Sequence, residues 1–123
     1  MSRTYKGKIF SGKGVGATRV KQNLETYIRA SGKSLIPGTL NIRLTEDFQV
    51  PKKHIYIPPE QIKPIEKERG VTLIHANVRG EGVIIMIPER PIYEKNIVEI
   101  MAPFNIRQRF CLKDGGKVEV LVE

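Results

Sequence analysis

The sequence predicts a small, mainly β protein, a closed or half-closed barrel carrying one longer and one short helix. Three observations predict it. Short apolar or alternating runs of strand length recur through the 123 residues, punctuated by Gly and Pro. Only one segment, from Arg19 to about Ala30, keeps helical periodicity over several turns. The strand–helix–strand repetition that builds doubly wound parallel sheets is missing.

Each element has its own signal. Thr4 to Ser11 reads as the first strand, with Tyr5, Gly7 and Ile9 on one side and the lysines on the other. Val20, Leu24, Tyr27 and Ile28 then recur at three- and four-residue steps, and Ser31-Gly32 ends the helix. Pro37-Gly38 is a turn that delivers the strand Thr39 to Leu44. A short strand, His54 to Ile57, lies between proline-rich stretches around Pro51, Pro58-Pro59 and Pro64. Val71 to Val78 and Gly82 to Ile87 form a strand pair joined by Arg79-Gly80-Glu81, and Ile97 to Met101 is a further strand. Pro103 is suited to the first turn of a short helix running to Phe110. Asp114-Gly115-Gly116 is a turn before the alternating closing strand Lys117 to Val122.

Composition bounds the function. Hydrophobic residues at 40% and charged residues at 28% are an ordinary globular balance for one domain, residues 1–123, which excludes a disordered chain. No apolar run approaches the ~20 residues of a membrane span, and the N-terminus lacks a signal-peptide core, so a cytoplasmic location is expected. Cys111 is the only cysteine, which excludes an internal disulfide, and it reads as a small core residue. The net charge of +8 points to an anionic partner, a nucleic acid or a phosphorylated small molecule. The basic residues are scattered, with no Lys/Arg block and no interleaved aromatics, which weighs against nucleic acid.

Four constellations can carry chemistry. Ser11-Gly12-Lys13-Gly14-Val15-Gly16 places three glycines at alternate positions between strand and helix. Such a backbone approaches a ligand closely, and its N–H groups with Lys13 can line a phosphate site; it is otherwise a tight turn. It fits neither GxGxxG nor GxxxxGK[ST]. In Thr39 to Leu44, the apolar Leu40, Ile42 and Leu44 leave Thr39, Asn41 and Arg43 on the opposite face. A hydroxyl and a carboxamide oxygen there can contact Mg²⁺, or Thr39 and Asn41 simply face solvent. Glu99 is a carboxylate within the apolar Ile97 to Met101, either inward and hydrogen-bonded or solvated on a half-exposed strand. Phe104-Asn105-Ile106-Arg107-Gln108-Arg109 puts two arginines in a short helix, able to clamp phosphate and hold a base edge, or to face water from a capped surface helix. His54 and His75 have no partners at zinc spacing.

Taken in order, these blocks resemble the archaeal CTP-dependent riboflavin kinase family. The resemblance is carried by Gly12 to Gly16, Pro37-Gly38-Thr39-Leu40-Asn41-Ile42-Arg43-Leu44, Gly82-Val83-Ile84-Ile85, Val98 to Arg107, and Leu112-Lys113-Asp114-Gly115-Gly116-Lys117-Val118. It implies a cradle-loop barrel that transfers the γ-phosphoryl of CTP to the 5′-hydroxyl of riboflavin, giving FMN and CDP. By position, Gly12, Lys13, Gly14, Val15, Gly16 and Ala17 would cradle the nucleotide phosphates. Phe104, Asn105, Ile106, Arg107, Gln108 and Arg109 would contact the cytidine nucleotide. Thr39 and Asn41 would hold Mg²⁺. Glu99 would be the catalytic residue and, with Tyr93, would contact the flavin.

Two departures stand out. Family members usually carry a threonine for the flavin in the stretch that here reads Pro88-Glu89-Arg90-Pro91-Ile92-Tyr93, and Pro91 occupies its slot with neither hydroxyl nor N–H. The turn Asp114-Gly115-Gly116 lacks the second aspartate that often ends it, which reads as structural. The winged-helix domain of some members is not expected in this chain, and a monomer is. Two rival readings remain: a basic barrel that binds nucleic acid without catalysis, and a flavin-binding relative that has lost kinase activity.

Overall fold

Every strand pair among the described residues is antiparallel, and the sheet closes on itself. The computed structural model describes residues 2–12, 15–90 and 93–123. The elements in chain order are β1 (Arg3–Phe10), α1 (Val15–Ser31), β2 (Leu40–Leu44), β3 (Ile55–Ile57), β4 (Val71–Val78), β5 (Glu81–Pro88), β6 (Ile97–Met101), α2 (Ile106–Arg109) and β7 (Lys117–Val122), with a short 3₁₀ turn at Pro59–Gln61. Their order is β3-β4-β5-β6-β2-β1-β7, and pairing of β4 with β7 closes β4, β5, β6, β2, β1 and β7 into a six-stranded barrel. The small barrel expected from the strand count is therefore present.

The barrel interior is filled by alternate residues of each strand, among them Tyr5 and Ile9, Leu40, Ile42 and Leu44, Ile74 and Ala76, Val83 and Ile85, Val98 and Ile100, and Val118 and Val120. Gly7 belongs to this inward set, and a Cβ there would stand 2.6 Å from the Arg43 carbonyl oxygen. Glycine is what lets β1 coil against β2 at that point.

A second apolar cluster lies outside the barrel. There α1 presents Val20 and Tyr27 to Leu73, Ile84, Met86 and Met101, which face outward from β4, β5 and β6. Strands β5 and β6 are thus buried on both faces, which is why they read as continuous apolar runs rather than alternating ones. The helix begins at Val15, earlier than the expected Arg19, because flanking glycines mask its first turn in the sequence. It breaks its regular backbone at Asn23 (φ −121°, ψ 18°). The Asn23 carboxamide accepts from the Lys63 N–H at 2.7 Å and donates to the Lys63 carbonyl at 2.9 Å, tying α1 to the 58–65 segment in place of a regular helical arrangement.

Two expectations are corrected near the C-terminus. The short helix starts at Ile106 and not at Pro103, because the Asn105 side chain accepts the Gln108 N–H at 2.9 Å and acts as the N-cap. Cys111 is exposed and does not enter the core. It follows the C-cap Phe110 at φ +53°, with its N–H bonded to the Gln108 carbonyl and the Leu112 N–H bonded to the Arg107 carbonyl. That pair of bonds is the helix-terminating motif whose left-handed position glycine usually fills, and it turns the side chain to solvent.

Two substitutions of opposite sign test these backbone arguments in urea denaturation. Gly7→Ala is expected to lose about 1–3 kcal/mol, because a buried methyl must displace backbone across the β1–β2 pair. Cys111→Gly is expected to gain about 0.5–1 kcal/mol by relieving the left-handed backbone without touching the core.

Candidate active site

The outer face of the barrel changes character at the junction of β2 and β6. Register places Phe10 opposite Asn41, Asn41 opposite Glu99, and Glu99 opposite Met86, a lateral row across β1, β2, β6 and β5. Directly opposed residues of antiparallel strands share a face, so the Asn41 carboxamide and the Glu99 carboxylate are neighbours there. Glu99 is 5% exposed, whereas Asn41 is half-buried. The buried alternative for Glu99 is the one the fold adopts.

Two cavities adjoin the β2–β6 pair. One, of about 120 Å³, is lined by Ile36, Pro37, Thr39, Phe104, Asn105 and Arg107 among others. The Ile36 N–H donates to the Ala102 carbonyl at 3.1 Å, which lays the 36–39 segment along the end of β6 and brings Thr39 to the 104–107 segment. The other, of about 130 Å³, is lined by Phe48, Val50, Met86, Ile87, Tyr93 and Glu99 among others. Tyr93 meets the Phe10 ring edge to face at 5.7 Å. A Cβ on Gly12 would collide with the Asn41 side chain and come within 2.5 Å of the Tyr93 hydroxyl. Gly12, Asn41 on β2 and Tyr93 therefore converge at one point.

The fold brings together most of the expected site residues and sets two apart. Thr39, Phe104, Asn105, Ile106 and Arg107 share the first cavity, and Glu99 and Tyr93 share the second. The Gln108 N–H is bonded to the capping Asn105, and Arg109 turns away, its guanidinium 4.4 Å from the Phe104 ring centroid and paired with Glu81 at 2.6 Å. Val15, Gly16 and Ala17 form the first turn of α1. Lys13, Gly14 and the unusual Pro91 lie outside the described residues.

Sequence reading missed Ile36, Phe48, Val50 and Met86 as cavity walls, since an apolar residue carries no mark of which surface it lines. It also read the Asp114 turn as structural. The Asp114 carboxylate accepts from the Ser11 hydroxyl at 2.6 Å and from Arg107 Nη2 at 2.7 Å. The Ser11 hydrogen bond first, then the bond and charge of Arg107, hold its carboxyl below the usual carboxylate range.

The donor set suits a hard cation held lightly by protein. Among the described residues no three His, Cys, Asp or Glu side chains gather as a metal cluster. Thr39, just before β2, and Asn41 within it offer neutral oxygens, a set that fits Mg²⁺ when it keeps waters and substrate phosphates as its other ligands.

The fold is thus a closed antiparallel barrel with a polar pair and two clefts at the β2–β6 junction. Comparison with known proteins identifies the family. The family model CTP-dep_RFKase, described as "Domain of unknown function DUF120", matches residues 9–122, and the chain belongs to that family. It is 32% identical over 123 residues to a riboflavin kinase of Methanocella arvoryzae, covering 96% of this chain and 56% of that protein. It is 35% identical over 124 residues to a riboflavin kinase of Pyrobaculum aerophilum, covering 93% of this chain and 58% of that protein. A riboflavin kinase of Staphylothermus marinus is 33% identical over 118 residues, with 95% of this chain and 89% of that protein covered. The chain thus spans a little over half the length of the first two relatives and most of the third. Among the described residues no helix is long and apolar enough to cross a membrane.

Proposed function

We propose that this chain is a riboflavin kinase that uses CTP, passing its γ-phosphoryl to the 5′-hydroxyl of riboflavin. The observation that carries the reading is the Asn41–Glu99 pair on the β2–β6 junction, with a cleft holding Thr39 and the 104–107 segment and an apolar cleft lined by Tyr93 and Glu99 both adjoining that junction. The nucleotide occupies the first and the flavin ring the second, so the reacting atoms meet at that junction. The matching family model and the riboflavin kinase relatives support the same chemistry.

In this reading the flavin 5′-oxygen forms a bond to the γ-phosphorus as the bond from that phosphorus to the bridging oxygen breaks. CDP departs with the bridging oxygen, and FMN keeps the phosphoryl. Glu99 orients the attacking hydroxyl and accepts its proton; a loose transition state asks little of a base, so positioning is the larger part of its work. The first-turn N–H groups of α1, together with the segment from Gly12 to Ala17, receive phosphate oxygens. Thr39 and Asn41 would hold Mg²⁺, which when bound supplies charge neutralisation for the phosphates. Arg107 and the Asn105 cap present polar groups to the cytidine nucleotide, while Arg109 supports the Phe104 wall by stacking on it.

The test is direct. Purified chain incubated with riboflavin, Mg²⁺ and either CTP or ATP is expected to form FMN, read by chromatography, with CTP favoured by more than about a hundredfold. Equal turnover with ATP removes the donor assignment. Riboflavin binding without FMN from either nucleotide favours the inactive flavin-binding relative, a reading to which Pro91 lends weight.

Asn41→Ala probes the metal. It is expected to lower kcat by about a hundredfold or more while leaving the melting temperature close to that of the parent, since Asn41 faces away from the barrel interior. Turnover with unaltered Mg²⁺ dependence would remove Asn41 from the ligand set.

A further inference from the structure

Asp114 is joined to Arg107 in one segment assigned to the nucleotide and to Ser11, the residue just before the other, yet neither the family resemblance nor its place in a surface turn gives it a part in the reaction. One carboxylate oxygen accepts from Ser11, the residue at which the chain leaves β1 for the glycine segment. The other accepts from Arg107, which lines the cleft containing Thr39. Ser11 and Asp114 are 103 residues apart in sequence, so this is a tertiary contact and not a local cap.

The turn does not need that carboxylate for its own shape. The Gly115 N–H bonds the Ile9 carbonyl at 2.7 Å, the Ile9 N–H bonds the Gly116 carbonyl at 3.0 Å, and the Gly116 N–H bonds the Lys113 carbonyl at 2.8 Å. The Leu112 N–H is bonded in turn to the Arg107 carbonyl at 2.8 Å. Backbone alone fixes the turn against the end of β1 and the end of α2. The Asp114 side chain adds a bond to the hydroxyl of one functional segment and a charge-assisted bond to the guanidinium of the other.

We propose that Asp114 is a positioning residue, a latch that holds the start of the glycine segment and the Arg107 guanidinium in the one relative placement that accepts a nucleoside diphosphate. The inference rests on the assignment of both segments to the nucleotide. Arg107 keeps further N–H donors for a ligand while one is committed to Asp114, so the latch aims the guanidinium without consuming it. A guanidinium left to rotate, or a glycine segment left to shift, loses the alignment on which phosphate recognition depends.

Asp114→Asn and Ser11→Ala test this in the full chain. Calorimetric titration with CDP and with riboflavin gives two affinities for each variant. Asp114→Asn is expected to weaken CDP about tenfold, the scale of one charge-assisted hydrogen bond, and to leave riboflavin unchanged. Ser11→Ala removes one arm and keeps the carboxylate, so it is expected to weaken CDP by about threefold, with an effect that does not add to that of Asp114→Asn. Equal losses for both ligands, no loss for CDP, or simple additivity would overturn the latch. Should Asp114→Asn fail to fold, the split between CDP and riboflavin in Ser11→Ala decides alone. A parent chain that binds no CDP overturns the nucleotide reading and the latch together, whereas a parent that binds CDP with both variants unchanged overturns the latch only.

Discussion

Burial of β5 and β6 on both faces is the constraint on which the site depends. The barrel interior takes Val83, Ile85, Val98 and Ile100, while α1 covers Ile84, Met86 and Met101 on the outside. A single helix covers only part of a barrel's outer surface. Here it covers β4, β5 and β6 and leaves β1, β2 and β7 with outward residues such as Lys8, Arg43 and Lys117 in solvent. The boundary between the covered and uncovered parts runs along the β2–β6 pair, where Asn41 and Glu99 stand side by side. A carboxylate can be buried there because polar neighbours and cleft openings lie within reach; a residue or two further toward α1 it would sit among aliphatic side chains at high cost.

The uncovered face also explains a charge that looked scattered along the chain. Register sets Arg43 opposite Lys8, and Lys8 opposite Lys117, so cations separated by tens of residues form one row across three strands. Like charges directly opposed are unfavourable. Arg43 is partly compensated by Glu94 at 3.8 Å and by the Phe10 ring beneath it. The remaining positive field lies on the same face of β2 as Asn41, two residues away, and such a field raises the local concentration of an anionic substrate.

What could be read in the sequence follows from which interactions are local. The alternation of Leu40-Asn41-Ile42-Arg43-Leu44 revealed both faces of β2, because a half-exposed strand prints its period on the chain. The burial of Glu99 was not legible, because Ile97 to Met101 is covered on both sides and has no period to read. The early start of α1 was hidden by glycines that weaken helix propensity, and the start of α2 by a cap two residues beyond Pro103. Cys111 misled for a similar reason: a left-handed helix terminus is recognised by glycine, and here it holds another residue. The polar candidate residues of the glycine segment, β2 and the 104–107 segment were visible as motifs. Their apolar walls, and the reach of Asp114 to Ser11, depend on contacts across the whole chain.

The convergence at Gly12 shows why these pieces must be tuned together. A side chain at that position would strike Asn41 and crowd the Tyr93 hydroxyl, so the backbone at Gly12 approaches Asn41 as closely as atoms allow. Tyr93 is held against Phe10, and Phe10 is paired in register with Asn41, so the aromatic wall and the polar row share one strand junction. Ser11, immediately before Gly12, is tied to Asp114 and through it to Arg107. A shift at any of these points alters the distance between Gly12 and the Asn41 carboxamide, and hence the space left at the candidate site. Close packing of this kind permits few intermediate arrangements, and the phosphoryl transfer proposed for this site would gain from that rigidity because its catalysis is mostly alignment and charge.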